Sequence, residues 1–179
     1  MADYTTEQIR NFALVGTSGS GKTTLGEAML VDAGVIGRAG TVEAGTTVSD
    51  WDELEHQFGH SVDSSLLTLD HAGCHFNIID APGRGDFIGK AMSSLPAVET
   101  MVLVLDPAIG IDPVARRMMK IAKERNLPRA IVINKIDAGG DISDFLMTIK
   151  ATFGSECCSI NLPAGNGTSI IRCFQETQG

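Results

Sequence analysis

The chain has 179 residues, enough for one compact domain with its own core, and 43% hydrophobic against 20% charged residues is ordinary for a water-soluble globular protein. A net charge of -8 argues against a domain that grips nucleic acid unaided. No apolar run is long enough to span a bilayer, residues 1–10 carry no apolar signal core, and Cys74, Cys157, Cys158 and Cys173 lack zinc-knuckle spacing and read as reduced thiols of a cytoplasmic protein.

Residues 11–16 (NFALVG) form the first predicted strand, short, apolar and closed by glycine. A helix follows over 21–33, with Leu25, Met29 and Leu30 at helical spacing. From 34 to about 64 the periodicity fades among Gly, Thr, Ser, Asp and Glu, which predicts a long loop, functional or disordered. Strands at 65–70 and 74–80 are joined as a hairpin through His71-Ala72-Gly73. A short helix covers 87–96 and a buried strand 101–106 (MVLVLD). Asp112 suits an N-cap, and Pro113 is pre-set for the first position of a helix running to about Arg125. A strand at 129–134 (RAIVIN), a helix at 142–152 and two β-like pieces around Ala164-Gly165-Asn166-Gly167 complete the chain. There is no repeat or linker, so residues 1–179 are expected to form a single domain. The alternation predicts an α/β fold with a mostly parallel sheet, one antiparallel strand and a hairpin-like tail. Such sheets take ligands at the carboxyl ends of their strands.

Three motifs fall at such ends. Gly16-Thr17-Ser18-Gly19-Ser20-Gly21-Lys22-Thr23, followed by Thr24, matches the full phosphate-loop pattern, giving a P-loop nucleotide-hydrolase sandwich of three layers. Its glycines let backbone N–H groups face a phosphate, the helix adds its positive end, Lys22 can reach the β- and γ-phosphates, and the Thr23 hydroxyl can ligate Mg²⁺. Asp80-Ala81-Pro82-Gly83 follows the strand CHFNIID, where the Asp80 carboxylate can hold Mg²⁺ through water and the Gly83 N–H can face a γ-phosphate. A bare D-x-x-G is nearly uninformative; its position carries the weight. Asn134-Lys135-Ile136-Asp137 follows RAIVIN. The Asp137 carboxylate can accept two hydrogen bonds from guanine that adenine cannot donate, the Lys135 stem can pack on a base, and Asn134 can tie loops together. Each motif has a bland alternative, a polar turn without a ligand, which the order of all three makes improbable.

The sequence resembles the N-terminal GTPase domain of elongation factor G and its paralogues, from about Phe12 to about Gly167. Support comes from Gly45-Thr46-Thr47-Val48-Ser49-Asp50-Trp51 and from Asp86-Phe87, while Asn161-Leu162-Pro163 resembles the start of that family's insert, into which residues 155–179 fall. The resemblance implies GTP or GDP with Mg²⁺ as ligands and the ribosome as a partner. It implies a Mg²⁺-binding hydroxyl in the first switch region, for which Ser61 after Gly59 is preferred over Thr46 and Thr47. The family's water-positioning His after the D-x-x-G glycine is Arg84 here, and the apolar residues beside that His are Ser18 and His60. Arg84 can be a finger on the transferring phosphoryl group or a solvated loop residue. His56, His71 and His75 form no constellation in the sequence, and nothing matches the family's Ser-Ala-Lys-type loop. A nucleotide switch without turnover, a fragment of a longer protein and an ATPase or kinase are the rival readings. Arg116, Lys120 and Lys123 share a helix face that touches RNA or, as the blander reading, is simply solvated.

Overall fold

The computed structural model describes residues 4–42, 44–49, 63–138, 141–164 and 169–173. In chain order its elements are β1 (Ile9–Val15), α1 (Lys22–Asp32), β2 (Ser65–His71), β3 (Cys74–Asp80), α2 (Ile88–Ser94), β4 (Thr100–Leu105), α3 (Pro113–Glu124), β5 (Arg129–Ile133), α4 (Ile142–Phe153), β6 (Asn161–Ala164) and β7 (Ser169–Arg172). The five-stranded sheet runs β2-β3-β1-β4-β5, and β6 pairs only with β7. All pairings in the large sheet are parallel except the β2–β3 hairpin, where Leu67 faces Ile78 across the ladder. This is the predicted sheet with one antiparallel strand.

Alternation along the central strands divides the core in two. Ala13 and Val15 of β1 point one way with Leu103 and Leu105 of β4, against α2, α3 and α4. Leu14 and Val104 point the other way, with Leu67, Leu69 and Ile78, against Leu30 of α1. The three layers follow from that period of two. α3 buries Ala115, Met118, Met119 and Ala122 at helical spacing, and Asp112 caps it by accepting the Ala115 N–H at 2.8 Å. Asp141 caps α4 in the same way, and Gly154, at φ 122, ends it.

Three local expectations need correction. The first strand begins two residues earlier than predicted, at Ile9. The predicted helix at 87–96 is regular only over Ile88–Ser94, with 3₁₀ turns at Gly85–Phe87 and Leu95–Ala97 on either side. Gly21 is not the first helical residue but the cap of α1, at φ 90.

Candidate functional site

β1, β3, β4 and β5 end on the same side of the sheet, so the loops after them meet there. The chain leaves β1 through Gly16 at φ 141, where any Cβ would strike the Val104 carbonyl of β4. Gly19 (φ 81) and Gly21 (φ 90) continue the left-handed turns. The Ser18 N–H donates to the Gly83 carbonyl at 3.0 Å, which ties this loop to the end of β3. A Cβ on Gly83 would lie 2.5 Å from Lys22 Nζ and from the Ser18 nitrogen. Only glycine fits there, so the two loops close on each other backbone to backbone.

Lys22 is buried, and its Nζ donates to the carbonyls of Gly16 and Thr17 at 3.0 Å each. Burial pushes its pKa below the ordinary lysine value, while the charges of Asp80 and Asp112 pull it back. An ammonium so enclosed gains much from a further anion. The hydroxyls of Thr17 and Ser20 are buried beside it without a hydrogen-bond partner among the described residues. Buried polar groups of this kind want partners, which the oxygens of a phosphate could supply.

The Thr23 hydroxyl donates to Asp80 Oδ2 at 2.6 Å, and Asp80 is itself buried. Hydroxyl and carboxylate together are the oxygen donors that a hard divalent cation takes. Among the described residues there is no cluster of three or more His, Cys, Asp or Glu.

The loop after β5 completes the site. The Asn134 N–H donates to the Leu105 carbonyl at 2.8 Å, and its side-chain amide donates to the Ser20 carbonyl at 2.9 Å. Lys135, left-handed at φ 54, stretches its Nζ to the Gly19 carbonyl at 2.7 Å and to Asp106 Oδ2 at 3.1 Å. Asp137 is exposed on the turn that follows, closed by the Ala138 N–H on the Lys135 carbonyl at 3.1 Å. Gly16 through Thr24, Asp80, Gly83, Asn134, Lys135 and Asp137 are therefore gathered at one edge. Arg84 is exposed next to Gly83, in extended backbone, where its carbonyl accepts the Phe87 N–H at 3.0 Å.

Ser61, with Trp51, His56 and His60, lies outside the described residues. Thr46 and Thr47 are used within their own loop: Thr46 Oγ1 accepts the Thr41 N–H at 3.0 Å, and buried Thr47 Oγ1 lies 3.3 Å from Ser49 Oγ. His71 is exposed; His75 is not isolated, since it pairs with Asp70 at 2.7 Å and stacks on Tyr4. The four thiols are free, with Cys158 and Cys173 exposed.

Two residues escaped the sequence reading. Asp106, buried at the end of β4, holds Lys135 in place. Glu27, buried on α1, accepts the Gly40 N–H at 2.8 Å and the Val48 N–H at 2.6 Å, and so fastens the loop after α1 to the helix that carries Lys22 and Thr23. A glutamate among the apolar positions of a predicted helix was the one available signal.

The sequence profile of the elongation factor Tu GTP-binding domain matches residues 7–161. The chain is 37% identical over 169 residues to peptide chain release factor 3 of Lactobacillus acidophilus, covering 92% of this chain and 32% of that protein. It is 38% identical over 160 residues to an elongation factor G-like protein of Mycobacterium tuberculosis, covering 89% of this chain and 22% of that protein. The chain thus spans a third or less of the length of these relatives. A crystal structure of a Thermus thermophilus protein superposes with a TM-score of 0.85 at 35% identity, over 92% of this chain and 25% of that one. No helix among the described residues is long and apolar enough to cross a membrane.

Proposed function

The chain belongs to the family of the elongation factor Tu GTP-binding domain, of the translational GTPases, and from that premise we propose that it binds GTP and GDP with Mg²⁺ and hydrolyses GTP in association with the ribosome, in the cytoplasm. The observation that carries the nucleotide part is the bonding between loops. Asn134 and Lys135 are tied to the Ser20 and Gly19 carbonyls, so the base-reading turn is held at a fixed distance from the phosphate loop. Asp137 then accepts the two donors of a guanine edge, which an adenine edge lacks. This favours a guanine-specific protein over an ATPase or kinase.

In this reading the backbone N–H groups of residues 16–23 cradle the phosphates, and Lys22 supplies the charge opposite the β- and γ-oxygens. Thr23 and Asp80 would hold the cation, whose part when bound is to neutralise charge on the phosphate oxygens. Gly83 admits the γ-phosphate because it has no side chain. Arg84 takes the sequence position of the family's water-positioning His and would contribute by stabilising charge on the transferring group. That same replacement favours a second reading, a nucleotide switch with little turnover.

Single-turnover GTP hydrolysis with and without ribosomes separates the two. Ribosome-stimulated turnover that drops at least tenfold in Arg84→Ala supports the first. Bound GTP that persists in wild type but turns over in Arg84→His supports the second. If Arg84→Ala stays within about threefold of wild type, roughly 0.7 kcal/mol in barrier, Arg84 has no part in the chemistry.

A further inference from the structure

The exposed polar side of α3 borders a hollow. Arg116, Lys120 and Lys123 of this helix converge with Arg129 at the start of β5, and with Thr152 and Phe153 at the end of α4, on one open hollow of about 250 Å³. Met119, buried on the core side of α3, forms its floor. In a chain of net charge -8, four cations around one hollow make a local concentration of positive charge. Lys120 and Lys123 lie 3.8 and 3.9 Å from Glu124 and Glu156, pairs so exposed that they hold the ammoniums only weakly against a competing anion. Neither guanidinium has a carboxylate within 4.0 Å among the described residues.

The row from Arg116 to Lys123 extends about 10 Å along the helix, longer than one phosphate group, so it addresses a string of anions. Guanidinium forks match phosphate oxygens in pairs, and the Thr152 hydroxyl is a further donor. Phe153, partly buried against the core, lines the hollow and gives it an apolar edge that an acidic peptide would leave unused and an unstacked base would cover. We propose that this hollow binds the phosphates of a single-stranded RNA segment, with one base against Phe153. The hollow adjoins the first residue of β5, whereas Asn134 follows its last, so this contact is separate from the nucleotide loops. Its failure would leave the GTP reading untouched.

The test is fluorescence anisotropy of a labelled 12-nucleotide single-stranded RNA with the GDP-loaded full chain at 50 and 200 mM KCl. Four displaced counterions at about -0.7 each predict affinity falling about 50-fold between the two salts. Arg116→Ala/Arg129→Ala halves that slope, so the fall shrinks to about 7-fold, with GDP affinity unchanged as the control for folding. Phe153→Leu weakens RNA at both salts by about 5-fold or more without altering the slope, and if that variant misfolds the arginine pair still decides. An unchanged slope in the double variant overturns the proposal. So does displacement of RNA by a 12-residue polyglutamate at equal concentration, which would mark a peptide surface, or by inorganic pyrophosphate at equal concentration, which would mark a small-anion site.

Discussion

Asp137 stands exposed while its neighbours do the holding: Asn134 and Lys135 spend their side chains on the carbonyls of Ser20 and Gly19, and in the proposed function Asp137 is the residue that reads the base. Its carboxylate only accepts, so it matches two donors. Asp137→Asn substitutes an amide that also donates, and nucleotide preference should move from GDP to XDP, with GDP weakened by about 1–3 kcal/mol in calorimetry. An unchanged GDP affinity would remove Asp137 from base recognition. Lys22 carries a pH signature. Its pKa is pushed below the ordinary 10.5 by burial, so it sheds its charge as pH rises through that depressed value. Phosphate attraction needs the charged form, so GDP affinity should hold at lower pH and fall across this window. The sign for folding is opposite: between the depressed value and 10.5 the unfolded chain binds more protons, so the nucleotide-free protein gains stability as pH rises. Calorimetry and urea unfolding from pH 7 to 10.5 measure both, and Lys22→Met should flatten both curves. These residues were legible in the sequence because the phosphate loop and the base loop are contiguous motifs. Asp106 was not, because nothing near it in the chain announces that its partner is Lys135 on the next strand's loop.

The elements were legible wherever one face is apolar and the period is clean, as in α3, and less so where burial is polar. α1 buries Lys22, Gly26, Glu27 and Leu30, two of them charged, because it packs against loops as well as against the sheet. Gly26 sits where a Cβ would come within 2.7 Å of Leu67 Cδ1, so the helix lies close on β2. The role of Glu27 lies 13 and 21 residues away along the chain, beyond any local pattern. Glu27→Ala should cost about 2–4 kcal/mol in urea unfolding, since it strands two N–H groups, while Glu27→Gln, which keeps one acceptor, should cost about half as much. Equal losses for the two would show that the carboxylate's packing, not its hydrogen bonding, matters. The β2–β3 hairpin offers the reverse. Ala72 and Gly73 turn with φ 49 and 76, a mirror-image turn in which alanine is strained. Ala72 is exposed, so Ala72→Asn should raise stability by about 0.5–1 kcal/mol and leave nucleotide affinity alone. A lower unfolding midpoint would mean that the alanine makes a contact worth more than the turn strain.

At the scale of the molecule, the sheet and the tail ribbon differ in kind. β1 and β4 lie at the sheet's centre with Ala13, Leu14, Val15, Met101, Leu103 and Val104 fully buried, and every nucleotide loop hangs from this sheet. β6 and β7 pair only with each other and leave Leu162, Ile170 and Ile171 exposed, and a two-stranded ribbon of this kind is marginal in water. Their antiparallel pairing was expected from the turn residues at 164–167, but a turn pattern says nothing about what a ribbon packs against. Ligand binding should therefore divide the chain into two cooperative units. GDP at 100 times its dissociation constant stabilises whatever unfolds together with its site by about 2.7 kcal/mol. Native-state hydrogen exchange should show the amides of β1 and β4 slowing about 100-fold on adding GDP, because they exchange only when the sheet opens. The amides of β6 and β7 should exchange far faster than these to begin with and stay within about twofold when GDP is added, since they open without disturbing the site. ADP at the same concentration should slow neither set. If the ribbon amides slowed in step with β1, the ribbon would belong to the same folding unit as the nucleotide site, and its exposed isoleucines would need a partner within the domain.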